Sequence, residues 1–359
     1  MGLRVGVVGV GPVGDRIIQV MRDRAFPIDG EPVVMATRER EEVLAGETFR
    51  VRKIEADLFK GLDVAFFAGR EGAKGASVQW GAAAIERGCL VVDNGGDFRM
   101  HPAYPLVVPE VNMDDVTPQT RHICSPNCST IQMVVALAPL HRAFRLKRVV
   151  VSTYQAVSGW GGAAEEELRK ETERVMSGGD PEHDPSIFAR PIAFECLPHI
   201  DRFLPNGYTK EEMKMVHETR KIMGEPNLLI NPTAVRVPVF VGHSESISAE
   251  FFEPADAERV RGVFTDSKRS PGVVLIDGPP EGRSDPSAGG DPNRRRYPVT
   301  RDLTDDAHRD AVLVGRVRDD TTAANAVNFW CVSDNLRKGA ATNVVQIAEA
   351  MIERGLLSP

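Results

Sequence analysis

Cysteine is scarce and irregularly placed in this chain: five in 359 residues, at Cys89, Cys124, Cys128, Cys196 and Cys331. An odd, scattered set makes no disulfide framework, and a reducing, cytoplasmic setting fits it better. No CxxC pair and no Cys/His cluster has zinc-like spacing, so no metal is expected. No apolar run reaches the roughly 18 residues that a membrane span needs. The first eight residues pass straight into a strand-like segment without a basic region and a cleavable apolar one, so no secretion signal and no membrane partner are expected. Positive charge is not in excess either. Lys and Arg number 44 against 51 Asp and Glu, a net charge of −7, which argues against a nucleic-acid partner. What remains is the composition of a soluble globular protein, 42% hydrophobic and 26% charged, at a length that suits two domains rather than one.

The first third alternates between apolar runs and helical stretches. Leu3 to Val8 reads as a buried parallel strand, followed by Gly9-Val10-Gly11-Pro12-Val13-Gly14 and a helix over Asp15 to Arg22. Val33 to Met35, Val64 to Phe67 and Leu90 to Val92 read as further strands, with an alanine-rich helix over Ala76 to Arg87. This alternation predicts a Rossmann-like, doubly wound parallel sheet. Beyond residue 128 the pattern changes. Helices are expected over Ser129 to Phe144, Gly161 to Met176 and Thr209 to Ile222, the last capped by Thr209. Strands are expected over Arg148 to Ser152, Thr233 to Val241 and Ser246 to Phe252. That predicts an α+β domain with a mixed sheet. Pro279 to Arg296 reads as a surface loop, and Thr342 to Arg354 as a long C-terminal helix.

Four constellations carry chemistry. A glycine turn between a strand and a helix lets backbone N–H groups approach a pyrophosphate, so Gly9, Gly11, Pro12, Val13 and Gly14 are candidate dinucleotide ligands. The second strand ends in Ala36-Thr37-Arg38-Glu39-Arg40; Arg38 and Arg40 beside Thr37 suit a 2′-phosphate and thus NADP, Glu39 could instead hold a ribose, and a solvated turn is the plainer reading. In Ser125-Pro126-Asn127-Cys128-Ser129-Thr130, a cysteine at a helix N-terminus has a stabilised thiolate, or else is a buried structural thiol. Arg236-Val237-Pro238-Val239-Phe240-Val241-Gly242-His243 pairs a carboxylate clamp with an acid/base group. Strand alternation would set the two on opposite faces unless Gly242 breaks the period; a surface arginine and a core histidine are the alternative. Glu211 and Lys214 share a helix face, by default as an ion pair.

With these motifs in order, the chain resembles the aspartate-β-semialdehyde dehydrogenase family over nearly its whole length. The resemblance rests on Pro126-Asn127-Cys128-Ser129-Thr130-Ile131-Gln132, on residues 152–159 (Ser-Thr-Tyr-Gln-Ala-Val-Ser-Gly), on Arg236 to Val239 running into Gly242-His243-Ser244-Glu245, on Asp93-Asn94 with Phe98-Arg99-Met100, and on residues 334–341. It implies reduction of 4-phospho-L-aspartate to L-aspartate 4-semialdehyde with NADPH through a Cys128 thioester, a step of lysine, threonine and methionine biosynthesis. It also implies roles. Cys128 is the nucleophile and Asn127 lies beside it at the substrate; Gln155 orients the acyl group and His243 is the acid/base. Arg236 binds the α-carboxylate, Glu211 the amino group, and Arg99 and Lys214 the phosphate. The glycine loop, Ser158, Gly159 and the segment from Asn335 to Ala340 hold the cofactor. A homodimer follows, with an NADP-binding domain over 1–127 and about 330–359, and a catalytic and dimerisation domain over 128–329. The chain departs from the family in its shorter glycine loop, at Asn94-Gly95-Gly96-Asp97 where two serines and an alanine are usual, and at Trp160 where a small residue is usual. N-acetyl-γ-glutamyl-phosphate reductase and a catalytically silent paralogue are the rival readings.

Overall fold

The computed structural model describes residues 2–69, 75–278 and 297–358; the loop expected over 279–296 lies outside them. The chain divides into two units, Met1–Cys128 with Leu336–Pro359, and Ser129–Asn335.

In the first unit, strand β1 (Val5–Val8) leads into helix α1 (Pro12–Asp23), followed by β2 (Val33–Ala36), β3 (Arg40–Leu44), β4 (Glu47–Lys53), β5 (Val64–Phe67), α2 (Ala76–Glu86), β6 (Leu90–Asp93), α3 (Pro109–Asn112) and β7 (His122–Cys124). The strands form one sheet in the order β3-β4-β2-β1-β5-β6-β7, parallel except for the β3–β4 hairpin. Side chains alternate along each strand, so odd and even positions serve opposite faces. Val5 and Val7 of β1, Val64 and Phe66 of β5, and Leu90 and Val92 of β6 share one core; Val8, Ala65, Phe67 and Val91 share the other, with Ala84 of α2. Burial on both faces is why these strands read as continuous apolar runs. The hairpin is not legible as strands because its residues 40–53 are dense in charge and fewer than half of them are shielded from water.

In the second unit come α4 (Cys128–Phe144), β8 (Leu146–Gln155), α5 (Gly162–Met176), α6 (Lys210–Met223), β9 (Leu229–Arg236), β10 (His243–Phe251), α7 (Ala257–Thr265), β11 (Val273–Leu275), β12 (Val312–Asp319) and β13 (Ala326–Ser333). The sheet order is β11-β12-β13-β10-β8-β9, with β8–β9 and β11–β12 parallel and the rest antiparallel. From residue 129 to 140 α4 is buried without a break, as befits a helix apolar on every side. The chain then returns to the first unit as α8 (Thr342–Glu353), whose Val344, Val345, Ile347, Ala348 and Met351 join the core of α1. Two expectations are corrected. The strand expected over 233–241 stops at Arg236, because Pro238 offers no N–H to a ladder and Gly242 takes φ +96°. The next strand begins at His243 rather than Ser246.

Candidate active site

Two sets of functional side chains are built, one in each unit. In the first, β1 has β2 on one side and β5 on the other, so its C-terminal end is a topological switch point, where open α/β sheets take ligands. Gly9 leaves the strand at φ +112°, Gly11 caps α1, and Pro12 occupies the first helical position. A side chain at Gly14 would run into the carbonyl of Gly9, so the tight turn itself demands glycine there. A Cβ at Gly11 would meet nothing within 4 Å. That open space above the N–H groups of α1 fits a dinucleotide pyrophosphate. Thr37 and Arg38 are exposed just past β2. Arg40 is held by Glu42 at 2.7 Å and Glu39 by Arg50 at 2.6 Å, while no ion pair of Arg38 is observed among the described residues.

The same sheet edge delivers Cys128. β7 ends at Cys124, and residues 125–127 turn the chain into α4, which Cys128 opens. Ser125, Pro126 and Asn127 are buried, whereas Cys128 is partly exposed. The turn is anchored twice: Ser125 N–H donates to the Asp93 carbonyl at 2.7 Å, and Asn343 of α8 donates to Ser125 Oγ at 2.9 Å and to the Val107 carbonyl at 3.0 Å. Asn343 carried no signal in the sequence, because 215 residues separate it from Cys128 (343 − 128). Arg99 is buried, with Nη2 donating to the Asn94 carbonyl at 2.8 Å. Beside it Asp93, His122 and Cys124 bring their donor atoms within 4.8 Å of one another.

In the second unit Gln155 ends β8 and Arg236 ends β9, and the parallel register sets them side by side. His243 starts β10, which runs antiparallel to β8 and begins pairing at Ser244 with Tyr154. Three side chains thus meet at one end of the sheet. The break at 237–242 answers the alternation problem, since Arg236 and His243 do not share a strand. Arg236 Nη1 donates to the Ala156 carbonyl at 2.7 Å, and Ala156 N–H donates to His243 Nδ1 at 3.1 Å. A Cβ on Gly159 would lie 3.0 Å from Arg236 Nη1 and 3.3 Å from His243 Nε2, so both converge on that bare backbone. Gln155 Nε2 donates to Glu211 Oε1 at 3.3 Å, and Lys214 Nζ lies 3.2 Å from Glu211 Oε2 and 3.4 Å from Asp201. The ion pair expected for Glu211 and Lys214 exists, but it is largely buried and joined to Gln155.

What aims α6 at these groups is Glu212. Its carboxylate closes a capping box with Thr209 and accepts the Ala234 N–H of β9 at 2.9 Å, tying helix to strand. Asn335 accepts the Gly242 N–H at 2.9 Å and bonds Ser158 Oγ, so its amide holds the turn that leads into His243. His243 is fully buried, and burial together with the Arg236 cation pushes it down to about 3, against the pull of Glu211 and a Gly242 backbone hydrogen bond. Two residues on, burial pushes Glu245 up to about 8; Gln132 and the Cys331 thiol act against the rise, although Gln132 Nε2 and Glu245 Oε1 lack full hydrogen-bond geometry. Trp160 stands with Arg236, His199 and Asp201 in the wall of a cavity of about 600 Å³.

Comparison with known proteins covers the chain end to end. Residues 4–118 match the family model "Semialdehyde dehydrogenase, NAD binding domain" and residues 137–338 match "Semialdehyde dehydrogenase, dimerisation domain". Aspartate-semialdehyde dehydrogenase of Aquifex aeolicus is 42% identical across 99% of this chain and 100% of its own. The crystal structure of aspartate semialdehyde dehydrogenase II from Vibrio cholerae is 40% identical, covers 98% of this chain and 99% of its own, and superposes with a TM-score of 0.84. A second structure of that enzyme, complexed with ASA, is 39% identical with the same coverage and TM-score.

Proposed function

The chain belongs to the aspartate-semialdehyde dehydrogenase family, and from that premise we propose that it reduces 4-phospho-L-aspartate to L-aspartate 4-semialdehyde and phosphate, with NADPH as reductant and a thioester on Cys128 between the two half-reactions. The observation that carries the reading is the meeting of Gln155, Arg236 and His243 at one end of a sheet, with Glu211 hydrogen-bonded to Gln155.

Cys128 opens a helix whose dipole favours the thiolate and then an oxyanion on the acyl carbon. The thiolate attacks the acyl carbon, the bond to the phosphate oxygen breaks, and Arg99 and Lys214 take up the charge of the leaving phosphate. Arg236 holds the α-carboxylate with its planar fork, Glu211 the α-ammonium, and Gln155 orients the acyl carbonyl. His243 Nδ1 accepts a backbone hydrogen bond, so the neutral ring carries its proton on Nε2, as a donor to the oxyanion. A dinucleotide held by its pyrophosphate on the Gly9–Gly14 turn would supply, from its nicotinamide, the hydride for the thioester carbonyl; Cys128 is the leaving thiolate as the aldehyde forms. Arg38, beside Thr37, is the cation for a 2′-phosphate, with Arg40 already engaged by Glu42.

The test is aldehyde-driven, phosphate-dependent NADP⁺ reduction by the purified chain. Turnover requiring both aldehyde and inorganic phosphate, with a higher kcat/KM for NADP⁺ than for NAD⁺ that Arg38→Ala reduces, is the expected result. No reaction with L-aspartate 4-semialdehyde overturns the assignment, and equal use of NAD⁺ overturns the choice of cofactor.

A further inference from the structure

Between β6 and β7 the chain makes an excursion, residues 94–107, that carries Arg99. It leaves the sheet at Asp93 and comes back beside β7, where Cys124 N–H donates to the Pro105 carbonyl and Val107 N–H to the Cys124 carbonyl, both at 2.9 Å. An arginine on such a loop is only as well aimed as the loop is fixed, and the family resemblance is silent on what fixes it here, since Gly95, Gly96 and Asp97 replace the usual residues.

His122, on β7, touches the excursion from the sheet side. It is 3% exposed. Its Nε2 lies 3.3 Å from Asp93 Oδ2, and the other carboxylate oxygen of Asp93 accepts the Gly95 N–H at 2.8 Å. Both oxygens of the carboxylate therefore have a donor without any bound ion, and His122, Asp93 and the first turn of the excursion form one chain of hydrogen bonds. A Cβ at Gly95 would sit 3.0 Å from that carboxylate oxygen and 3.2 Å from Ser77 Oγ, so glycine allows the close approach. Arg99 attaches to the same turn, its Nη2 donating to the Asn94 carbonyl at 2.8 Å. The far end of the excursion is held by rings. Tyr104 stacks on His122 at 4.4 Å between centroids and 19° between planes, Phe98 meets His122 edge-on at 5.2 Å, and Phe98 and Tyr104 meet edge-on at 5.5 Å. His122 thus holds the residue before Arg99 and the segment after it at once.

We infer that His122 is a positioning residue for the phosphate site: through Asp93 and through Phe98 and Tyr104 it fixes the excursion that aims Arg99. This rests on the reading of Arg99 as a phosphate ligand. His122 touches no substrate; it acts by restricting where the guanidinium can be, and a displacement on the order of 1 Å of such a group costs up to about a hundredfold.

The experiment is steady-state aldehyde oxidation by the full chain with inorganic phosphate as the varied substrate. His122→Ile removes both attachments, and His122→Phe keeps the ring but loses the bond to Asp93. His122→Ile raises the KM for phosphate by about tenfold or more, His122→Phe by less, while the aldehyde KM and the NADP⁺ dissociation constant stay within about twofold. In an Arg99→Ala background His122→Ile adds nothing further to the phosphate KM, which a merely structural role would not predict. A phosphate KM unchanged in both His122 variants overturns the inference, as does an equal rise in all three constants or a full additional rise on top of Arg99→Ala. If Arg99→Ala alone leaves the phosphate KM unchanged, the reading of Arg99 is at fault and the inference falls with it. Should His122→Ile not fold, His122→Phe and Asp93→Asn carry the same comparison.

Discussion

Cys89 sits under the parallel sheet with its thiol donating to the Phe59 and Leu62 carbonyls, and burial pushes it up to about 12. Cys331 is raised as well, by burial and then by Glu245, and Cys124 is buried. Only Cys128 and Cys196 reach solvent. Because the thiolate reacts and the thiol does not, an alkylating reagent at neutral pH is expected to modify those two and spare the other three, with Cys128 first. Peptide mass mapping checks this, and early label at Cys89 or Cys331 would contradict the burial. Cys128→Ala should lose turnover and keep NADP⁺ affinity. At His243 the folded ring is held near 3 against 6.5 when free. As the pH falls the unfolded chain takes up that proton first, so folded-state stability declines from about 6.5 downward and the loss is complete near 3. His243→Gln cannot titrate, so its melting temperature should drop less than the wild type's between about pH 7.5 and pH 5. Equal drops in two parallel melts would show that His243 titrates freely in the folded chain.

The turn between β1 and α1 separates what folding needs from what the ligand needs. Gly14 lies against the Gly9 carbonyl, and Gly11 faces open space. Gly14→Ala is therefore expected to cost stability, on the order of 1–3 kcal/mol as for overpacking elsewhere. Gly11→Ala should melt close to the wild type and yet bind dinucleotide more weakly, because its methyl group enters the space left for pyrophosphate. Thermal melts and cofactor titration of the two variants decide it; a Gly11→Ala chain with unaltered affinity would place the cofactor elsewhere. The motif was legible because a strand, a turn and a helix are consecutive in the chain. The β3–β4 hairpin that follows was not, since its strands carry charge on their open face and lack the apolar run that marked their neighbours. α6 shows the limit from the other side. Its start at Thr209 could be read locally, but its tether to β9 through Glu212 and Ala234 could not.

At the scale of the whole molecule, no described helix is long and apolar enough to cross a membrane, yet large apolar side chains are exposed in the second unit, among them Trp160, Phe194, Phe203 and Phe240. That unit carries the match to a dimerisation domain, and apolar surface of this kind is what a partner subunit covers. Sedimentation equilibrium should give twice the chain mass of 39.3 kDa. A monomer at micromolar concentration would mean that these side chains serve something other than a second copy.

Sequence alone determined the chemistry that neighbouring residues carry together: the glycine turn after an apolar strand, a cysteine opening a helix, and an arginine and a histidine on either side of Gly242. It also determined the parallel sheet, because strands buried on both faces leave unbroken apolar runs. Only the tertiary structure decided which strand ends meet. Gln155 lies beside Arg236 through pairing of strands 81 positions apart (236 − 155), and Asn343 reaches Ser125 across 218. It decided too that Asp93 and His122, on adjacent strands, share a hydrogen bond, and that His243 stays neutral. Motif and periodicity are properties of neighbours along the chain, whereas strand order, burial and the field around a charge arise only once distant segments have packed.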